Sequence, residues 1–359
     1  MVFLLFVAGL VLLIIGADAI VRGTSHLASA FGISPLVIGL TVVAFGTSSP
    51  EFAVSIKAAV SNQASIAVGN IIGSNIFNVL FILGLSALVI PLTVSQQLVR
   101  FDVPLMILLS VLVLILGWDN KFSRTDGLLL FTGLIIYIWY LIYQSRKEST
   151  EVKEEYAREF GIESHIAAKN PVRNIVLVIG GFALLIYGSR WLVDSAVSIA
   201  QDLGLSELII GLTIIAAGTS LPEFVTSVIA SIKGERDIAV GNVVGSNIFN
   251  IMGVLGLSSL IAPAGIDVSG EVIRFDIPIM IAVAFACLPI FFTDGMISRW
   301  EGGLLFGYYL AYTMYLILAS AHHSALVIYS AAMLYFVIPL TTITLMILAL
   351  RALGIRNKV

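Results

Sequence analysis

Apolar stretches longer than about 18 residues recur along this whole chain, the pattern of membrane-spanning helices rather than of helices in a soluble core. Turn residues and charges divide it into eleven such segments, about 2–21, 34–60, 66–91, 102–118, 125–144, 173–195, 206–232, 238–262, 275–293, 302–320 and 324–350. One plainly aqueous stretch interrupts them. Residues 145–172 mix six acids with several Lys and Arg, which predicts a solvated, partly helical linker too short to hold a folded domain. The first segment has no positive n-region before it and is read as a retained helix, not a signal peptide.

The pattern repeats. Gly46-Thr-Ser-Ser-Pro-Glu51-Phe52 matches Gly218-Thr-Ser-Leu-Pro-Glu223-Phe224 at six of seven positions, 172 residues on. Ile66-Ala-Val-Gly-Asn-Ile-Ile-Gly-Ser-Asn-Ile-Phe-Asn78 matches Ile238 to Asn250 at eleven of thirteen. Gly16 with Gly188, Gly39 with Gly211, Arg100-Phe-Asp102 with Arg274-Phe-Asp276, and Arg124 with Arg299 extend the alignment. Each half holds five segments, an odd number, so the second half enters the membrane from the opposite side. The expected architecture is an all-α integral membrane protein of two inverted five-helix repeats plus one extra C-terminal helix. Its divisions are 1–144, the linker 145–172, 173–320, and 321–359 for the extra helix and tail. That last helix has no counterpart and is expected at the perimeter or in an oligomer contact.

Composition agrees. The chain is 59% hydrophobic and 11% charged, far below the roughly 25% charged residues of a soluble domain. With the N-terminus outside, fourteen Lys and Arg fall on the cytoplasmic side and five outside, as the positive-inside rule requires. The single cysteine, Cys287, excludes an internal disulfide and a thiolate metal site, and reads as a small apolar residue in a span.

The chemistry lies in the repeated segments. Gly46 and Pro50 cannot both sit in an undisturbed helix, so the chain is expected to break near 44–50 and free carbonyls between Ala44 and Thr47. Such carbonyls are tolerated at membrane depth where they line a cavity or bind an ion. Thr47, Glu51 and Ser55 share one helical face, and Asn70, Ser74 and Asn78 form a second oxygen-rich stripe. Thr219, Glu223 and Ser227, with Asn242, Ser246 and Asn250, repeat both. All are hard oxygen donors and no histidine lies among them, which suits Ca²⁺ or Na⁺ better than zinc or copper. Two carboxylates facing each other in the membrane cannot both stay ionised without a cation between them. The site must therefore hold metal, sodium or protons in competition.

Small polar residues in membrane helices are often there only for packing. A duplicated Glu beside a duplicated proline break is a poor fit to that alone. Elsewhere the plain reading is preferred. Asp102 and Asp276 each follow Arg at a helix entry and read as interfacial capping pairs. Asp18 and Arg190, at equivalent positions, read as helix-end ion pairs or snorkelling groups. His322 and His323 read as solvated loop residues. Trp118, Tyr137, Trp139, Tyr140, Trp300 and Tyr308 read as an interfacial belt.

Gly-Thr-Ser-x-Pro-Glu followed by Gly-Asn-x-x-Gly-Ser-Asn-Ile-Phe-Asn, present twice, closely resembles the alpha repeats of the cation/calcium exchanger superfamily, and within it the prokaryotic sodium/calcium exchangers. The resemblance covers about residues 6–318. It implies that segments two, three, seven and eight form the ion-binding core. It implies Glu51 and Glu223 as central Ca²⁺ and Na⁺ ligands and Asn78 and Asn250 as central amides. It further implies the carbonyls of Ala44, Thr47, Ala216 and Thr219 and the hydroxyls of Ser48, Ser74, Ser220 and Ser246 as flanking Na⁺ ligands, with the Thr hydroxyls as additional candidates. Some archaeal and potassium-dependent relatives carry Asp where this chain has Asn250, so the resemblance disfavours K⁺ co-transport here.

The function these readings imply is a Na⁺/Ca²⁺ antiporter of a prokaryotic cytoplasmic membrane, electrogenic if three Na⁺ replace one Ca²⁺ on two carboxylates. A Ca²⁺/H⁺ exchanger is the alternative. A channel would need a ring of subunits and fits an internal inverted duplication poorly. An intramembrane enzyme fits less well, since there is no His-Glu-x-x-His motif. No cofactor is implied beyond the transported ions, a monomer carries the full ligand set, and oligomeric state is left open.

Overall fold

A computed structural model describes residues 2–31, 33–147, 171–202, 216–292, 295–321 and 323–356. Nine helices among the described residues are long and apolar enough to cross a membrane: α1 (Val2–Ala28), α4 (Ala64–Val89), α5 (Leu98–Asp119), α6 (Arg124–Ser145), α7 (Val172–Ile199), α9 (Arg236–Ile261), α10 (Val272–Phe292), α11 (Arg299–Ser320) and α12 (Ala325–Ile347). A tenth span is bent by 49° between α2 (Pro35–Thr47) and α3 (Ser49–Val60). The shorter α8 (Leu221–Ile232) is the second repeat's counterpart of α3. Residues 206–215 of the expected seventh segment, and 148–170 of the expected linker, lie outside the described residues.

Two short antiparallel ladders mark the two ends of the bundle. β1 (Leu92–Thr93), after α4, pairs with β4 (Met296–Ile297), after α10. β2 (Lys121–Phe122), after α5, pairs with β3 (Ile266–Asp267), after α9. Helix α5 therefore runs from the first ladder to the second, and its repeat partner α10 runs back. Helices α4 and α9 likewise end at opposite ladders. The two repeats are inverted.

Glycine sets the closest approach between them. A Cβ placed on Gly9 or Gly16 of α1 would lie 2.8 Å from the carbonyl oxygens of Gly188 and Gly181 of α7 respectively. The two numbers fall on one helix as they rise on the other, so the pair is antiparallel, with backbones in direct contact as small-residue membrane interfaces allow. Gly84 against Gly302 and Gly127 against Gly256 make the same joint between α4 and α11 and between α6 and α9.

Helix α9 is the centre: every residue from Asp237 to Asn250 is buried. Helix α12 is the perimeter. No residue of Ala325–Val337 is buried, and Val327, Tyr335 and Phe336 face outward. It is tied to α11 by Tyr308 Oη to Thr341 Oγ1 (2.7 Å) and Tyr329 Oη to the Ala311 carbonyl (2.8 Å). Burial without a water-facing shell is what a lipid solvent requires of a bundle.

Three expectations need correcting. Asp102 is not an interfacial partner of Arg100. It is fully buried and accepts Tyr137 Oη (2.9 Å) and Gln97 Nε2 (3.2 Å), because residues two apart do not share a helical face. Asp276 likewise accepts Tyr312 Oη at 3.0 Å. The tyrosines are not all belt residues either: Tyr137 turns inward to Asp102 and Tyr308 bonds to the peripheral α12, while Trp118, Trp139 and Trp300 are exposed. Asp18 does form an ion pair, with Arg22 (2.9 Å) and with Lys233 at the end of α8. His323 caps the start of α12, its Nδ1 accepting the Ala325 N–H at 3.1 Å, and His322 lies outside the described residues.

Candidate cation site

The chain changes direction at Ser48 and again at Ser220, which have matching backbone angles (φ −77°, ψ 7° and φ −90°, ψ 10°). Pro50 and Pro222 follow two residues later, each in the first turn of the next helix, where its missing N–H and fixed φ are tolerated. The expected break is present. Its carbonyls are not all free, however: Ala44 O accepts the Ser48 N–H at 3.0 Å, since the turn closes before the bend. In the second repeat Pro222 has no N–H for Gly218 O one turn back, and Ser189 Oγ from α7 donates to it at 2.7 Å.

Each bend delivers its serine to the other repeat. Ser48 Oγ donates to Glu223 Oε1 at 2.8 Å, and Ser220 Oγ donates to Glu51 Oε1 at 2.7 Å. Ser220 Oγ also lies 3.1 Å from Ser74 Oγ. The threonines cross over too, Thr47 Oγ1 to Asn242 Oδ1 (3.1 Å) and Thr219 Oγ1 to Asn70 Oδ1 (3.3 Å). Asn70 and Asn242 brace their own repeats as well. Asn70 Nδ2 donates to Ser55 Oγ and Asn242 Nδ2 to Ser227 Oγ, both at 2.9 Å, and each reaches the carbonyl of its glutamate. These two asparagines hold α4 to α3 and α9 to α8.

What is left over defines the chemistry. Glu51 and Glu223 are 1% and 0% exposed, and the second oxygen of each, Oε2, has no hydrogen-bond partner among the described residues. The same is true of Asn78 Oδ1, Asn250 Oδ1 and Ser246 Oγ. A buried carboxylate oxygen without a donor is costly. Five buried oxygens, two of them on carboxylates and all without donors, fit a hard cation. Among the described residues no three His, Cys, Asp or Glu come together as a metal-binding group.

The candidate side chains on α2, α3, α4, α8 and α9 thus come together: Thr47, Ser48, Glu51, Ser74, Asn78, Ser220, Glu223, Ser246 and Asn250 are all buried, and Thr219 is half-buried. Ala44 is buried beside them, and Ala216 opens the short helix Ala216–Gly218. Two neighbours escape a reading by helical stripes. Asn75 and Asn247, one residue off the Asn70–Ser74–Asn78 spacing, bond to the ligand candidates Asn250 and Asn78. Their exact repetition was the signal that could have found them.

An inverted pair of helical repeats around a buried, oxygen-lined, doubly acidic centre defines a membrane ion transporter. The chain belongs to the sodium/calcium exchanger protein family, which matches residues 1–143 and 173–318. It is 41% identical to the inner membrane protein YrbG of Escherichia coli over 79% of this chain and 87% of that one. It is 40% identical to the putative antiporter CaxA of Alkalimonas amylolytica (87% and 97% covered) and 33% to the sodium/calcium exchanger MaX1 of Methanosarcina acetivorans (88% and 98%). A solved structure of the sodium-calcium exchanger NCX_Mj superposes with a TM-score of 0.73 at 32% identity, over 86% of this chain and 98% of that one. The protein is a multi-pass membrane antiporter, in a family of transporters rather than enzymes.

Proposed function

We propose that this antiporter exchanges Na⁺ for Ca²⁺ at a single midplane site, with Glu51 and Glu223 as the central ligands. The observation that carries the reading is the pair of buried Oε2 atoms with no partner among the described residues, with Asn78 Oδ1 and Asn250 Oδ1 as neutral companions. One Ca²⁺ balances two carboxylates. Ser48, Ser74, Ser220, Ser246, Thr47, Thr219 and the carbonyls of Ala44 and Ala216 supply neutral oxygens for Na⁺, which a proton would not need. The Asn at position 250 keeps the centre at two formal charges and argues against K⁺ as a third substrate. Three Na⁺ against one Ca²⁺ would move one net charge per cycle, worth about 2.3 kcal/mol per 100 mV. The distribution of Lys and Arg supports an N-terminus outside, with the linker and C-terminus in the cytoplasm of a prokaryotic cell.

The second reading is Ca²⁺/H⁺ exchange, favoured by the same two carboxylates, which would bind protons in place of Na⁺. Liposomes loaded with Na⁺ and given external ⁴⁵Ca²⁺ separate the two. Uptake is expected to need the outward Na⁺ gradient and to vanish in Glu51→Gln. Uptake indifferent to Na⁺ and driven by a proton gradient would replace this reading with the second.

A further inference from the structure

Asn75 and Asn247 follow Ser74 and Ser246 directly, and both are buried. Each grips the other repeat's central asparagine. Asn78 Nδ2 donates to Asn247 Oδ1 at 3.0 Å, and Asn250 Nδ2 donates to Asn75 Oδ1 at 3.1 Å. The two crossed pairs are joined by Asn247 Nδ2 donating to the Asn75 carbonyl at 3.3 Å.

A side-chain amide has two ends of opposite character. The oxygen ligates a cation; the NH₂ end repels one. The terminal torsion that exchanges them is broad, with two nearly equivalent settings. An asparagine offered to an ion therefore needs something to choose its orientation. At Asn78 and Asn250 the end left buried without a partner among the described residues is Oδ1 in both cases. Flipping Asn250 would set its Oδ1 against Asn75 Oδ1, two acceptors face to face, and flipping Asn78 would do the same against Asn247.

The asparagines that make this choice are themselves oriented by groups that can only accept. Asn75 Nδ2 donates to Met280 Sδ on α10 and Asn247 Nδ2 to Met106 Sδ on α5, each at 3.5 Å. A thioether has no proton to give, and neither has the Asn75 carbonyl. From methionine to asparagine to central asparagine, every link admits one orientation.

We infer that Asn75 and Asn247 are positioning residues of the cation site: each takes the N–H of the other repeat's central asparagine and so turns that residue's carbonyl oxygen toward the ion. They set Ca²⁺ affinity with their own Oδ1 atoms occupied. This rests on the reading of Asn78 and Asn250 as ligands.

The test uses aspartate, whose two oxygens make orientation irrelevant. Ca²⁺ binding to the purified full chain is measured by calorimetry for the wild type, Asn75→Leu, Asn250→Asp and the double variant. Loss of an outer-shell partner costs metal sites about 10–100-fold in affinity. Asn75→Leu is expected to weaken Ca²⁺ by that factor in the wild-type background and to cost nothing in the Asn250→Asp background. An equal loss in both backgrounds would mean that Asn75 only packs, and overturns the inference; so does no loss in either. Asn247→Leu with Asn78→Asp repeats the cycle from the other repeat and decides the matter if Asn75→Leu does not fold. Glu51→Gln, measured alongside, keeps the two questions apart. Unchanged Ca²⁺ affinity in that variant removes the site itself, whereas its loss together with a flat Asn75 cycle removes only the positioning role.

Discussion

Glu51 and Glu223 occupy two copies of one motif, and each accepts the bend serine of the opposite copy, yet their surroundings differ. Ser220 touches both Glu51 and Ser74, whereas Ser48 bonds Glu223 and Ser246 Oγ has no partner among the described residues. The carbonyl released by Pro222 is capped by Ser189; the equivalent position in the first repeat is Ala17. Thr47 meets Asn242 in a fully buried contact, and Thr219 meets Asn70 in a partly exposed one. An inequality of this kind is what a carrier working by alternating access would need. A carrier whose halves obeyed a perfect twofold would be open, or closed, to both sides of the membrane at once. Alternating access by rocking one half against the other needs halves that can exchange inequivalent arrangements.

The strongest way to break the comparison is to neutralise one glutamate at a time. Glu51→Gln and Glu223→Gln are each expected to reduce Ca²⁺ affinity at least about 100-fold, given that removing one member of a buried charge pair costs about 3–5 kcal/mol. Calorimetry checks this, and a variant that stays within tenfold of the wild type would mean the ion leans on one repeat only. The serines come next. Ser48→Ala should lower stability by about 1.5–3 kcal/mol, the range for a hydrogen bond to a charged group. Ser220→Ala should cost more, because the Ser74 contact is lost as well. Equal thermal shifts in detergent would show that the contact with Ser74 adds nothing. Ser189→Ala ranks third, at about 1–3 kcal/mol for an orphaned buried carbonyl; a thermal midpoint at the wild-type value would remove Ser189 from the bend.

The smallest effect concerns pH. Helix α9 is entered through Glu235, where the equivalent entry to α4 is Gln63. Burial lifts the Glu235 carboxyl above its ordinary 4.5. The folded state then holds this proton after the unfolded chain has released it. That contribution is full below about pH 4.5 and is lost as pH rises through the lifted value. Thermal unfolding followed across this range should show Glu235→Gln flattening the dependence, and Gln63→Glu creating one would extend it to the first repeat. A slope untouched by Glu235→Gln would assign it to other groups.

Much of this was legible in the chain. Helical spans announce themselves by length and hydropathy because lipid tolerates no unpaired backbone, and the odd number of spans per repeat fixes inversion by counting alone. Glu51, Glu223 and the two serine–asparagine stripes were legible because each occurs twice, beside a proline. Other features were not. Asp102 looked like a surface partner of Arg100, since its true donor, Tyr137, is distant in sequence and nothing local points to it. Asn75 and Asn247 fell outside the helical stripes, because their partners come from the other half of the molecule.

The chain by itself determined the all-helical membrane architecture, the inversion of its halves and the hard oxygen character of the centre, since these follow from local composition, periodicity and repetition. Only the tertiary structure decided which oxygens remain without donors, which serine serves which glutamate and which way the central amides face. Those outcomes depend on contacts between residues about 170 positions apart, made when two inverted repeats close on each other, and no window of sequence contains both partners.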